Sequence, residues 1–115
     1  MFRATTPKQV FIFNVNPGLF SKILITYAQG DDIILEKTQD DLQFEERFNE
    51  SCNRTEYRAW FRMTQEEANE FNARSTKKVY VQVRALTDDD EALASKIHQV
   101  YVNDVLDDEV LTNEI

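Results

Sequence analysis

The stretch that decides the fold is YRAWFRMTQEEANEFNARSTKKVYVQVRA, residues 57–85. Its two ends, residues 57–63 and 79–85, alternate apolar and polar side chains, as strands with one buried face do. We expect the inward side chains of the first strand to be Tyr57, Ala59, Phe61 and Met63. Those of the second strand should be Val79, Val81, Val83 and Ala85.

Between these strands lies a helix-start signal, Thr64-Gln65-Glu66-Glu67. It is a capping box, in which the Thr64 hydroxyl accepts a hydrogen bond from the Glu67 amide and the Glu67 carboxylate accepts one from the Thr64 amide. The pattern predicts one short helix of about two turns that ends near Asn72. A strand, a capped turn and a second strand resemble the connection that crosses between the sheets of an immunoglobulin-like sandwich.

Further strands are predicted on both sides of this unit, at residues 10–15, 22–29, 32–37 and 96–102. A weaker pattern covers residues 42–48. The segment Ile33-Ile34-Leu35 is apolar throughout, which indicates a strand covered on both faces. Turn residues follow at Asn16-Pro17-Gly18 and at Gly30-Asp31.

Short strands with polar turns favour a β-sandwich or a small barrel. With the crossing turn, we predict an all-β, immunoglobulin-like antiparallel β-sandwich of about seven strands with one short helix. The predicted organisation is an N-terminal segment (1–8), a β-sandwich domain (9–103) and an acidic C-terminal tail (104–115). For the tail, a final strand, a short helix and an arm that orders on a partner all remain open.

The charge balance limits the possible partners. Acidic residues outnumber basic ones by 21 to 13, so the formal net charge is −8. Nucleic acids bind clustered Lys and Arg through counterion release, and the longest basic run here is Lys77-Lys78. The same charge disfavours anionic membranes. We therefore expect neither nucleic acid nor membrane as a partner.

Targeting signals and cysteine usage indicate a soluble protein. The first residues lack the apolar run of a signal peptide, and no stretch approaches the roughly 18–20 apolar residues of a membrane span. Cys52 is the single cysteine, so no intrachain disulfide can form, which fits a reducing cytosol.

Catalytic residues are scarce. His98 is the only histidine. Gly18 and Gly30 are the only glycines, which is too few for a glycine-rich phosphate-binding loop. We interpret His98 as a solvent-facing strand residue and Cys52 as an unreactive thiol. Nothing singles out two of the many carboxylates for a hydrolase. We predict no enzyme, no cofactor and no catalytic or metal-binding residue.

The run Asp88-Asp89-Asp90-Glu91 has two interpretations. Its oxygen atoms could gather around Ca²⁺, but the spaced acidic pattern and the turn glycine of a calcium loop are missing. We therefore favour a hairpin turn, a geometry that Asp tolerates well.

The predicted partner-binding face combines aromatic and Arg side chains, which are enriched at binding hot spots. It consists of Trp60, Arg58 and Arg62, joined by Tyr80 and Arg84 if the two strands pair. In the alternative interpretation, these side chains stack over the second sheet.

Several segments occur in an order that resembles a known group. They are ITYAQ (25–29), ILEK (34–37), MTQEE (63–67), VQVR (81–84), LAS (93–95) and VYV (100–102). Across residues 10–106 the chain resembles small β-sandwich proteins encoded among the virion genes of tailed phages and prophages of Gram-positive bacteria. Asp88-Asp89-Asp90 stands where that group has Asp-Gly, which indicates a longer turn.

The resemblance implies a non-catalytic structural or accessory role in a phage particle, at the tail or baseplate. It implies protein partners, either further copies of this chain in a homo-oligomer or other virion proteins. It also implies synthesis in the bacterial cytoplasm followed by incorporation into a virion. The alternative is a carbohydrate- or peptide-binding module that uses Trp60 and Tyr80 as a stacking platform.

Overall fold

The structure contains eight strands and one short helix in its described residues, one strand more than predicted. The computed structural model describes residues 1–107 and 109–112. Its strands are β1 (Lys8–Phe13), β2 (Phe20–Gln29), β3 (Asp32–Thr38), β4 (Gln43–Asn49), β5 (Arg54–Arg62), β6 (Val79–Thr87), β7 (Ala92–Ala94) and β8 (His98–Val100). The helix is α1 (Gln65–Asn69).

The strands form two sheets. The first sheet has the order β1-β5-β4, and the second has the order β3-β2-β6-β7, with β8 also paired to β6. Every neighbouring pair of these strands is antiparallel. The chain is therefore predominantly antiparallel β with two sheets and little helix, as the sequence predicts.

Aromatic side chains join the two sheets. The rings of Phe61 of β5 and Tyr27 of β2 make a T-shaped contact, with ring centroids 6.2 Å apart. Phe13 of β1 lies 6.3 Å from Phe20 of β2. The predicted inward faces are confirmed, because five of the eight side chains are buried and the others are half-buried. The five buried ones are Ala59, Phe61, Met63, Val79 and Val81.

Three predicted strands need correction. The strand predicted at 10–15 begins and ends two residues earlier, at Lys8–Phe13. Ile33 is 63% exposed rather than covered, because β3 is an edge strand whose register with β2 shifts between Tyr27 and Ala28. The strand predicted at 96–102 spans only His98–Val100. Before β8, the Ser95 hydroxyl accepts from the Val83 amide at 3.0 Å in place of a regular ladder bond. The strand ends at Val100 because that residue pairs with Val79, where β6 begins. The weaker prediction at 42–48 is confirmed by β4.

The predicted hairpin turn at Asp88–Glu91 is confirmed. It joins β6 to β7, and the Thr87 amide donates to the Glu91 carbonyl at 2.9 Å. The Thr87 hydroxyl accepts from the Glu91 amide at 3.0 Å, and Asp90 adopts a left-handed φ of 63°. Asp and Asn tolerate that region better than other non-glycine residues, so the acidic run fits the turn geometry.

Helix α1 connects β5 of the first sheet to β6 of the second, so the predicted crossing between sheets is confirmed. The capping box is also present, with the Glu67 amide donating to the Thr64 hydroxyl at 3.1 Å and the Thr64 amide donating to Glu67 at 2.9 Å. The helix is shorter than predicted, since its C-cap is Glu70. No helix in the described residues is long and apolar enough to cross a membrane.

Glu67 also forms an ion pair with Lys37 of β3. Burial raises the pKa of Glu67, but the hydrogen bonds from Lys37 and from the Thr64 amide outweigh it and hold that pKa below its usual 4.5. A carboxylate with a lowered folded-state pKa stabilises the fold above its unfolded pKa, and this contribution is lost as the pH falls through the folded pKa.

We therefore expect Glu67→Gln to lower the free energy of unfolding by about 1 kcal/mol at neutral pH. The difference from the wild type should shrink towards zero at a pH low enough to protonate Glu67 in the folded state. Urea unfolding at both pH values measures it, with the exposed neighbour Glu66→Gln as the control. A Glu67→Gln deficit that persists unchanged at low pH would contradict the assignment.

The N-terminus lies beside the start of the tail. Phe2 forms a parallel bridge with Asn103, and Arg3 forms an ion pair with Asp104 at 3.3 Å. The Val105 amide and the guanidinium groups of Arg74 and Arg3 hold the pKa of Asp104 below its usual range, against the opposing effect of burial. In its described part, residues 104–107 and 109–112, the tail forms no helix or strand. The rest of the predicted tail lies outside the described residues.

Candidate functional site

The Trp60 face is the part of the first sheet's solvent side formed by Lys8, Val10 and Ile12 of β1 with Arg58, Trp60 and Arg62 of β5; Gln43 and Glu45 of β4 border it. Antiparallel register sets Val10 opposite Trp60, Ile12 opposite Arg58, and Lys8 opposite Arg62. Directly opposed residues share one side of a sheet, so these six side chains form one surface. Val10 is 46% and Ile12 is 62% exposed, so apolar atoms contribute strongly to this surface.

The charged groups on this face are partly engaged. The Lys8 ammonium lies over the Trp60 ring, 4.3 Å from its centroid. Arg58 donates to the Glu56 carboxylate at 3.0 Å, and Asn49 donates to the same carboxylate at 2.7 Å. These hydrogen bonds from Asn49 and Arg58 lower the pKa of Glu56. The Nε–H of Arg58 is buried and meets no acceptor among the described residues.

Tyr80 and Arg84 do not join the Trp60 face. The prediction required β5 and β6 to pair, but they belong to different sheets. Within β6, Tyr80 and Arg84 alternate with the buried Val79 and Val81, so they lie on the outer side of the second sheet. The structure therefore brings together Arg58, Trp60 and Arg62 and places the other two residues on a separate surface.

A cleft that sequence reasoning missed opens between β1 and the β7–β8 edge. Its volume is about 660 Å³, and none of the described Asp, Glu, Lys or Arg residues lines it. Most of its lining is apolar, including Phe11, Phe13, Phe20, Val83 and Leu93. The alternation of β1 could have indicated the inward Phe11 and Phe13, but not that the second sheet would leave them partly uncovered.

The buried Tyr27 also borders the cleft. Its hydroxyl donates to Gln9 Oε1 at 3.0 Å. Burial raises the pKa of Tyr27 well above its usual value, so the phenol stays neutral at physiological pH. The other polar groups of the cleft include the hydrogen-bonding side chains of Gln9, Asn14 and Ser95, with His98 at its mouth.

A second, smaller cleft of about 460 Å³ lies on the other flank, between the Asn16–Phe20 segment and the first sheet. Phe44 of β4 lines it, and both Phe44 and Phe48 are exposed beyond it. The inner side of the β4–β5 hairpin thus extends past the cover of the second sheet.

The residues considered for catalysis occupy separate elements. His98 is an exposed residue of β8 at the mouth of the larger cleft, and Cys52 is exposed in the turn between β4 and β5. Among the described residues, no group of three or more His, Cys, Asp or Glu side chains is arranged to hold a metal ion. Charged groups do line other clefts: Glu45 and Glu46 border the smaller one. Arg3, Arg74, Asp104 and Asp107 line a third cleft of about 300 Å³, where Asp104 forms ion pairs with both Arg side chains.

Comparison with known proteins does not assign the chain to a family. No protein-family model matches the sequence, and no curated protein matches it significantly.

Proposed function

We propose that this protein is a non-catalytic structural or accessory protein of a tailed phage or prophage, which acts through protein–protein contacts at the tail or baseplate. The observation that carries the contact role is the Trp60 face, where exposed Val10 and Ile12 adjoin an aromatic ring and two Arg side chains. Aromatic and Arg side chains dominate the binding energy of many protein interfaces. The order of short segments that resembles virion proteins supports the phage setting.

We also propose that the fold is of the immunoglobulin-like type. In that sandwich, strands A, B, E and D form one sheet and strands C, F and G form the other, with C′ added in the variable type. The order β1-β5-β4 corresponds to B-E-D, and β3-β2-β6-β7 corresponds to C′-C-F-G. No strand pairs with the outer edge of β1 in the described part of the chain, where strand A would lie.

The particle itself provides the test. We expect the chain to co-purify with virions of its source and to be detected there by mass spectrometry and immunogold negative-stain microscopy. Trp60→Ala should reduce incorporation by about tenfold or more, as for an aromatic hot spot. Gln82→Ala, on the outer side of the second sheet, is the control and should incorporate normally. Absence of the chain from particles would contradict the phage role.

The second candidate is a peptide- or carbohydrate-binding module. The apolar cleft beside the open edge of β1 favours a peptide as the ligand. A sugar is less favoured, because Lys8 already lies over the Trp60 ring and Tyr80 is on another surface. A glycan array tests carbohydrate binding. A glycan whose binding is abolished by Trp60→Ala would support it, and binding of no glycan would rule it out.

A further inference from the structure

The outer edge of β1 carries unpaired backbone groups. The Met63 amide donates to the Pro7 carbonyl at 3.0 Å, which fixes which residues of β1 bond to β5. Because these bonds alternate along an antiparallel pair, the groups directed at β5 belong to Gln9, Phe11 and Phe13. The N–H and C=O groups directed at the open edge are therefore those of Lys8, Val10 and Ile12. No backbone partner for them occurs among the described residues.

Strand β1 is also the least protected edge of the two sheets. Proteins usually guard exposed edges with charges, bulges or very short strands. Each of the other edges has such a guard: β4 carries Glu45, Glu46 and Arg47, β3 carries three charges and a register shift, and β7 and β8 have three residues each. In β1 the only charge is Lys8 at its first residue, and its register is regular.

A strand added to this edge would lie over the larger cleft. Successive side chains of a strand point to opposite faces, so every second side chain of the added strand would point towards the cleft. In the described residues the lining contains no Asp, Glu, Lys or Arg and is mostly apolar, so uncharged side chains fit it best. Strand β1 itself meets this requirement, since its inward residues are Gln9, Phe11 and Phe13.

We propose that β1 of a second copy occupies this edge, a choice of partner that rests on the proposed role in protein contacts. The two β1 strands pair antiparallel around a two-fold axis at Val10. The ladder of β1 with β5 extends from Pro7 to Phe13, and Val10 is the middle of that span. A two-fold contact of this kind is the commonest in homo-oligomers. It joins the two first sheets into one sheet of six strands.

This register is self-complementary. Lys8 faces Ile12 of the second copy, and Val10 faces Val10, so no like charges are opposed. On the inner side, Gln9 faces Phe11 of the second copy, which brings apolar side chains to the mouth of each cleft. The exposed Val10 side chains of the two copies become direct cross-strand neighbours, and each lies diagonal to Ile12 of the other copy, contacts that stabilise sheets.

Charge variants at Ile12 test the register. Ile12→Lys sets two like-charge pairs with Lys8 across the dimer, whereas Ile12→Glu sets two ion pairs at the same positions. Ile12 is largely exposed and its backbone does not bond to β5, so both variants should fold. We expect the wild type to dimerise in sedimentation equilibrium, and the dissociation constant of Ile12→Lys to exceed that of Ile12→Glu by about tenfold or more. The double variant Lys8→Glu with Ile12→Lys should recover the dimer.

A proline variant tests the edge without changing charge. Val10→Pro removes an N–H that points to the open edge and not to β5, a place where edge strands tolerate proline. We expect it to be monomeric with a native circular dichroism spectrum, and Val10→Thr, which keeps the N–H, to remain a dimer.

The possible outcomes separate this dimer from the proposed phage role. A wild type that is monomeric at every concentration, or a dimer equally strong in Ile12→Lys and Ile12→Glu, overturns the β1 dimer, even if the chain is found in particles. A dimer with the expected Ile12 dependence supports it, even if the chain is absent from particles.

Discussion

Phe61→Ala should lower the free energy of unfolding by about 3–5 kcal/mol, the usual cost of deleting a buried aromatic ring. Phe61 is 4% exposed, and its ring packs against Tyr27 of the opposite sheet and against Phe11 of its own. The Lys37 ammonium also lies 5.5 Å from the ring centroid. Alanine would leave a cavity between the sheets, and the surrounding side chains can fill it only in part.

Urea unfolding followed by the fluorescence of Trp60 measures this loss. Domains of this size are stable by only about 5–15 kcal/mol, so the variant should unfold at a much lower urea concentration. Phe48→Ala is the matched control, because Phe48 belongs to the same sheet but is 56% exposed. We expect the control to stay within about 0.5 kcal/mol of the wild type. Equal losses for the two variants would mean that Phe61 does not join the sheets.

The strands of the core were predictable because their chemistry is local. Alternation in residues 57–63 and 79–85 identifies which side chains point inward, and Phe61 and Val81 are buried as expected. The capping box at Thr64 is equally local, since all its groups lie within four residues. Strand β7 was not predicted, because Ala92–Ala94 becomes a strand only through its pairing with β6.

The surfaces were predictable only in part, because a side-chain pattern does not say which strands are neighbours. Alternation correctly sets Trp60 opposite to the core, but it cannot show that Tyr80 belongs to another sheet. Likewise, Ile33 looks like a core residue in the sequence and is exposed because no described strand pairs with the outer edge of β3. Edges and clefts depend on the arrangement of strands, so the open edge of β1 required the structure.

Gln29→Leu should lower the free energy of unfolding by about 2–3 kcal/mol, because it removes three hydrogen bonds from a buried position. Gln29 is the one buried polar side chain in the described core. Its amide nitrogen donates to the carbonyl of Asn72 at 2.7 Å and to that of Lys77 at 3.1 Å, and its oxygen accepts from the Asn72 amide at 2.9 Å. These hydrogen bonds hold the connection between α1 and β6 against the last residue of β2.

Leucine has a similar volume but cannot pair with these backbone groups, so the loss should be concentrated in the 72–77 connection. Hydrogen exchange gives the local readout: the Asn72 amide should exchange faster in Gln29→Leu than in the wild type. Gln82→Leu is the matched control, since Gln82 is a half-buried strand residue whose side chain donates only to the Ser95 carbonyl. If Gln29→Leu lowers the free energy of unfolding no more than Gln82→Leu does, the connection is held by contacts other than those of Gln29. A larger cost together with faster exchange at Asn72 would show that this one side chain anchors the crossing between the two sheets.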